Sequence, residues 1–347
     1  MKRIIFFDAK PYDHEFFDAA NRRHGYEIKY IPNRLSADNA PSAAGYDAVC
    51  AFVNDDLSAP VAAILHRNNI RIIAMRCAGY NNVDLNSVFG KIHVVRVPAY
   101  SPYAVAEHAV ALIMALNRKT HKAYNRTRDS NFSLSGLLGF DLHGKTAGII
   151  GTGRIGQVLA GILKGFGMRV LAFDRFPKTD WAAGAGVEYV ELDELYCQSD
   201  IISLHCPLTP ETKYMINEES LSRMKDGVML INTSRGGLIQ TQALIDALKN
   251  LKIGAAGLDV YEEEDGYFFE DWSGEVLTDD VLARLFTFPN VLVTAHQAFF
   301  TREALRNIAE TTLANLEAFF QNGRLDNEIC YRCTKEACPR KKEGACF

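Results

Sequence analysis

Gly151-Thr152-Gly153-Arg154-Ile155-Gly156 stands between an apolar stretch, Lys145 to Ile150, and a segment of helical character, and Asp174 closes the next apolar stretch. Each part has a physical task. Gly151 permits a tight turn, Gly153 lets backbone N–H groups approach a pyrophosphate, and Gly156 lets the following helix pack close to its strand. The helix N-terminus beyond favours anionic phosphate. Asp174 offers a carboxylate to the two hydroxyls of an adenosine ribose and repels a 2′-phosphate. NAD is therefore expected as the cofactor in preference to NADP, with Arg175 beside the acid leaving some tolerance for NADP. A glycine-rich turn alone is weak, since such turns recur in many loops; here strand, helix and distant acid agree with it.

At 347 residues the chain is long enough for two domains. Hydrophobic residues at 48% and charged residues at 23% describe an ordinary globular protein. The formal net charge of −4 leaves no electrostatic footprint for nucleic acid or an anionic membrane surface. Met1 to Asp8 reads as a first strand, without the apolar core and cleavage site of a signal peptide. The most apolar helical segment, Ala104 to Leu116, is interrupted by Glu107 and His108 and is too short to span a bilayer. A cytoplasmic location is expected. Of the eight cysteines, Cys50, Cys77, Cys197 and Cys206 are scattered through strand or helix patterns and are expected to be free and buried in a reducing compartment.

The first hundred residues alternate strand-like and helix-like segments. Arg3 to Asp8, Glu27 to Ile31, Ala48 to Val53, Ile70 to Arg76 and His93 to Val97 read as short apolar strands, with helical stretches such as Ala59 to Asn68 between them. After Pro98 and Pro102 one long helix is expected from about Tyr103 to Arg128. Its first half is apolar on more than one face, which points to burial between domains or against another subunit. A second series follows: Thr146 to Ile150, Arg169 to Phe173, Asp200 to His205, Val228 to Asn232, Gly254 to Asp259 and Asn290 to Thr294, six strands that suit a Rossmann sheet. The helix from Glu303 to Gln321 has no strand after it and is expected to return to the first domain.

The expected fold is thus α/β, with two Rossmann-like or flavodoxin-like, doubly wound parallel-sheet domains and a cleft between them. Residues 1–100 with 299–329 form a discontinuous substrate domain, residues 101–298 the NAD-binding domain, and residues 330–347 a cysteine-rich basic tail.

Three ionisable residues fall just beyond strand ends of the second series: Arg235, Glu264 and His296. In an open parallel sheet ligands bind beyond the carboxyl ends of strands, so all three project toward one crevice. Singly each has a plain reading, as a loop clamp, a solvated acidic run or an unremarkable histidine. Together, after a dinucleotide grip, they are the side-chain types that reduction of a 2-keto acid needs. An Arg fork holds a carboxylate, a protonated His delivers a proton, and a carboxylate behind the ring stabilises the imidazolium. Spacing alone does not separate Glu264 from its neighbours Glu262 and Glu263.

These motifs give the chain a resemblance to the D-isomer-specific 2-hydroxyacid dehydrogenases, from Met1 to about Ile329. It is carried by the Gly151–Gly156 loop, Ser234-Arg235-Gly236, Asp259-Val260-Tyr261-Glu262-Glu263-Glu264 and His296 in that order. Within the family, His296-Gln297-Ala298-Phe299-Phe300-Thr301, the segment Asp265 to Trp272 and Pro98 to Pro102 look like the lactate branch. The resemblance implies that Arg235, Glu264 and His296 are catalytic, and it selects Glu264 from the acidic run. It further implies a substrate loop from Arg76 to Asp84. Ala78 and Gly79 would present backbone N–H groups to the substrate carboxylate, Arg76 and Asn81 would shape the loop, and Tyr100 and Phe299 would wall the pocket. Arg154, Ile155, His205, Cys206, Pro207, Thr233 and Asp259 join Gly151, Gly153, Gly156 and Asp174 as implied cofactor contacts. The implied activity is reduction of pyruvate to D-lactate with NADH. The alternatives are a bulkier 2-keto acid substrate, or a non-catalytic NAD(H)-sensing regulator on the same scaffold. A homodimer or higher homo-oligomer is expected.

Cys330, Cys333, Cys338 and Cys346 fall outside that resemblance. Four thiols this close suit zinc or an iron–sulfur cluster, yet their spacing matches neither paired knuckles nor a ferredoxin run. A tail of free thiols, or a redox-sensitive one, is the competing expectation, and no metal is expected to be needed for turnover.

Overall fold

The computed structural model describes residues 1–331 and 346–347. They fall into two compact units, residues 1–101 with 300–347, and residues 102–299. The first unit is built on β1 (Arg3–Phe6), β2 (Glu27–Tyr30), β3 (Ala48–Ala51), β4 (Ile72–Met75) and β5 (His93–Val95), all parallel in the order β2-β1-β3-β4-β5. That is the flavodoxin-like doubly wound order. Every residue of β3 and β4 is buried, as a parallel sheet covered on both faces requires.

The helix Arg302–Phe320 belongs to this unit and packs on the helix Pro11–Asn21 and on β4. Thr301 caps it by accepting the Ala304 N–H, and Ala304, Leu305, Ile308, Ala309, Thr312, Leu313 and Leu316 form its buried stripe. The segment after it closes the open edge of β5: Arg96 N–H donates to the Asn327 carbonyl and Ile329 N–H to that of Val94. The described ends of the expected tail are packed as well. The Tyr331 hydroxyl accepts from Val94 N–H (2.7 Å), Cys346 N–H donates to the buried Glu328 carboxylate (2.7 Å), and the Phe347 ring stacks on His93. Cys330 is exposed and Cys346 buried. Cys333 and Cys338 lie outside the described residues, among which no three His, Cys, Asp or Glu side chains group as metal ligands.

The second unit carries β6 (Thr146–Ile150), β7 (Arg169–Phe173), β8 (Glu188–Tyr189), β9 (Ile201–Leu204), β10 (Val228–Asn232), β11 (Ile253–Leu258) and β12 (Val291–Val293). All pair parallel in the order β12-β11-β10-β9-β6-β7-β8. Read from β6, this is the Rossmann order with one further strand, and the strand order reverses between β6 and β9.

Three expectations need correction. The sheet has seven strands, because the two-residue edge strand β8, with Glu188 exposed and Tyr189 half-buried, has no apolar run to announce it. The long helix is two, Pro102–Arg118 and Thr120–Arg128, since Lys119 takes a left-handed conformation (φ +50°). The first is largely buried and packs on the helix Arg154–Gly165 and on β10 and β11, whereas the second buries no residue. Cys197 is exposed and Cys206 half-buried, where burial of all four scattered cysteines was expected. No described helix is long and apolar enough to cross a membrane.

Candidate active site

The glycine loop sits between β6 and the helix Arg154–Gly165, and close approach dictates its composition. Gly151 has φ +97°, and a Cβ there would lie 2.6 Å from the backbone after β9 at His205 and Cys206. A Cβ on Gly156 would lie 2.1 Å from the Gly151 carbonyl oxygen. Around Gly153, the N-cap of the helix, there is open space, so phosphate can reach the first N–H groups. Arg154 is exposed and Ile155 half-buried beside it. Asp174 follows β7 and holds the loop, accepting from Thr152 N–H (2.6 Å) and from Phe176 N–H (2.8 Å).

His205 is pushed down to about 4 by burial and is neutral, with Nε2 2.8 Å from the Ser203 hydroxyl. Burial pushes the half-buried Cys206 thiol up to about 11, so it is no nucleophile. Pro207 is exposed beside it. Thr233 is buried, and its hydroxyl has no hydrogen-bond partner among the described residues. Such an orphaned group just beyond β10 fits a polar ligand.

Arg235 follows β10 on a turn tied by its own neighbours. Ser234 N–H donates to Asn232 Oδ1, Asn232 Nδ2 to the Arg235 carbonyl, and Ser234 Oγ to the Cys206 carbonyl. Gly236 is required next, since a Cβ there would meet the Tyr261 carbonyl at 2.1 Å. The Arg235 side chain is half-buried; it donates to the Ser234 carbonyl and makes no ion pair among the described residues. A partly desolvated guanidinium without a carboxylate is set to receive one from a ligand.

His296 follows β12. Its Nδ1 lies 2.7 Å from Glu264 Oε1, and Glu264 Oε2 accepts from Tyr261 N–H at 2.9 Å. The geometry therefore separates the three acids. Glu262 is engaged by Tyr214 and Thr241, Glu263 is exposed, and Glu264 alone of the three faces the imidazole. Nε2 of His296 has no partner among the described residues, and the Phe269 ring lies 5.8 Å from the imidazole. A His with a carboxylate behind one nitrogen and the other nitrogen open is built to pass a proton.

Asp259, at the end of β11, is wholly buried. Its carboxylate accepts from Gln297 N–H and Ala298 N–H (2.9 Å each) and from the Thr294 hydroxyl (2.5 Å), so it holds the loop that carries His296. His108, noted in the sequence only as an interruption of an apolar helix, meets the same cluster: Nε2 is 3.0 Å from Thr294 Oγ1 and 3.3 Å from Asp259 Oδ1. Phe299 is buried in this second unit.

In the first unit Arg76 lies beneath its loop. The guanidinium sits between the Phe6 and Phe52 rings (4.4 and 4.6 Å) and donates to the Asp8 carbonyl. Ala78 and Gly79 turn their carbonyls inward, to Arg96 (2.6 Å) and to the Cys77 thiol (3.2 Å). Their N–H groups have no acceptor among the described residues. Asn81 is exposed, and Tyr100 is half-buried with its carbonyl accepting from Asn307.

The chain belongs to the D-isomer specific 2-hydroxyacid dehydrogenase family, whose NAD-binding-domain model matches residues 110–298, and it is an NAD-dependent dehydrogenase. It is 52% identical over 329 residues to D-lactate dehydrogenase of Escherichia coli strain K12, covering 94% of this chain and 99% of that one. The apo structure of the Escherichia coli enzyme superposes with a TM-score of 0.87 at 50% identity, over 94% of this chain and all of that one. D-Lactate dehydrogenase of Lactobacillus jensenii, solved with NAD+, matches with a TM-score of 0.80 at 33% identity, over 94% and 99%.

Proposed function

We propose that the protein is a D-lactate dehydrogenase that reduces pyruvate to D-lactate with NADH in the cytoplasm. The observation that carries this is the pairing of His296 with Glu264, beyond the same strand ends as a guanidinium, Arg235, that lacks an acid partner. NADH, when bound on the Gly151–Gly156 loop, supplies the hydride for the keto carbon. Arg235 holds the substrate carboxylate and polarises the adjacent carbonyl. His296 enters the cycle protonated and passes the Nε2 proton to the developing alkoxide. Glu264, fixed by Tyr261, stabilises the imidazolium beforehand, and the ring recovers its proton from solvent afterwards. Asp174 selects NADH through the ribose hydroxyls.

Loss of NADH absorbance should be fastest with pyruvate in a panel that includes bulkier 2-keto acids, and the product should be the D isomer. Faster turnover of a bulky member would overturn the substrate assignment. A protein that binds NADH and consumes none of the panel would be a regulator on this scaffold.

The working form is a homodimer. Phe132, Leu134 and Leu138 lie exposed along one short stretch, with Tyr124 exposed on the preceding helix. A second copy, presenting the same surface about a two-fold axis, is the occupant that covers such a patch without a separate partner. Sedimentation should give about twice the 38.6 kDa chain mass, and Leu134→Asp with Leu138→Asp should give monomers; a monomeric wild-type protein would refute the dimer.

A further inference from the structure

We infer that His108 is a positioning residue for the proton donor, acting through Thr294 and Asp259 on the loop that carries His296. The inference rests on the reading of His296 as that donor.

His296 has φ +51°, a left-handed conformation that a residue with a side chain adopts only when its surroundings hold it there. Asp259 is what holds it. Its backbone carbonyl accepts the His296 N–H at 2.7 Å, while its carboxylate takes Gln297 N–H, Ala298 N–H and the Thr294 hydroxyl. One side chain thus fixes the residue before the turn and the two after it. Asp259 is wholly buried, and no Lys or Arg pairs with it among the described residues. Besides the Thr294 hydroxyl, the side chain that faces this carboxylate is the imidazole of His108.

The hydrogen positions follow from counting. A threonine hydroxyl has one proton, and the 2.5 Å contact to Asp259 Oδ1 uses it. The same oxygen lies 3.0 Å from His108 Nε2 and must accept there, so His108 carries its hydrogen on Nε2 and shares it between Thr294 Oγ1 and Asp259 Oδ1. His108 projects from the helix Pro102–Arg118, which packs on β10, β11 and β12. The network therefore ties the mobile kind of element, a loop after a short edge strand, to a fixed one. Without His108 the buried carboxylate and the Thr294 hydroxyl each lose a donor, and the His296 ring loses its register on Glu264.

The decisive comparison is kcat and KM for pyruvate and NADH in wild type, His108→Leu and His108→Gln, with His296→Asn alongside. His108→Leu should lower kcat about 10- to 100-fold while KM for both ligands stays within about threefold, because displacement of a reacting group costs turnover more than ground-state binding. His108→Gln, whose amide can donate from near the place of Nε2, should restore kcat to within about threefold of wild type. A folded His108→Leu protein with kcat within about twofold of wild type, or a Gln variant no better than Leu, overturns the inference. Should the Leu variant fail to fold, Thr294→Val tests the same link, and unchanged kcat there overturns it equally. Turnover retained by His296→Asn would instead overturn the reading of the proton donor.

Discussion

His296→Asn should slow pyruvate reduction about 10²- to 10⁴-fold, the range over which general acid catalysis contributes. Asparagine keeps a polar side chain of similar length to the ring's near half, so Glu264 and Tyr261 keep their arrangement, but it has no proton to give at neutral pH. The developing alkoxide would then have to draw on water. NADH affinity should stay near the wild-type value, because the glycine loop and Asp174 follow β6 and β7, away from β12. Stopped-flow reduction with NADH titrated by fluorescence checks both halves. A variant that binds NADH normally and retains more than about a tenth of wild-type kcat would mean that another group donates the proton. His205 is no substitute, since burial holds it neutral, well below the working pH.

Arg235→Gln should lower kcat/KM for pyruvate by about 10³-fold, equivalent to about 4 kcal/mol at 1.36 kcal/mol per decade. The figure lies within the range for truncating one member of a desolvated, hydrogen-bonded charge pair. On the proposed function the pair would form only with substrate, because Arg235 has no carboxylate partner in the protein among the described residues and donates only to the neighbouring Ser234 carbonyl. Folding should therefore be little affected while catalysis collapses. Arg235→Lys should recover only part of the loss: an ammonium carries the charge without the planar fork. Steady-state kinetics with a thermal melt for each variant checks this, and a Gln variant within tenfold of wild type would remove Arg235 from the substrate grip.

Much of the architecture was legible because parallel strands buried on both faces announce themselves as apolar runs. β6, β7 and β10 begin and end where the periodicity places them. β8 was not legible, since a two-residue edge strand with an exposed glutamate is indistinguishable from a loop. Nor was the break at Lys119, because a single left-handed residue between two helical stretches leaves no glycine or proline to mark it. In the candidate site Arg235 and His296 stood out by position after strand ends, but the neighbouring acids did not separate until their partners were visible. His108 was the residue missed. Its signal was present as a polar interruption in a buried apolar helix, and the chemistry that explains it comes from Thr294 and Asp259, far along the chain.

By itself the sequence determined that this chain builds parallel sheets and grips a dinucleotide, because those properties depend on local periodicity and on glycines whose missing side chains admit a backbone or a phosphate. Only the tertiary structure decided which glutamate backs His296, that Arg76 is an internal strut beneath its loop, and that Asp259 turns its carboxylate toward the loop that carries His296. Hydrogen-bond partnership is a matter of a few tenths of an ångström between residues tens to hundreds of positions apart, and that proximity exists only once the strands are paired and the helices packed.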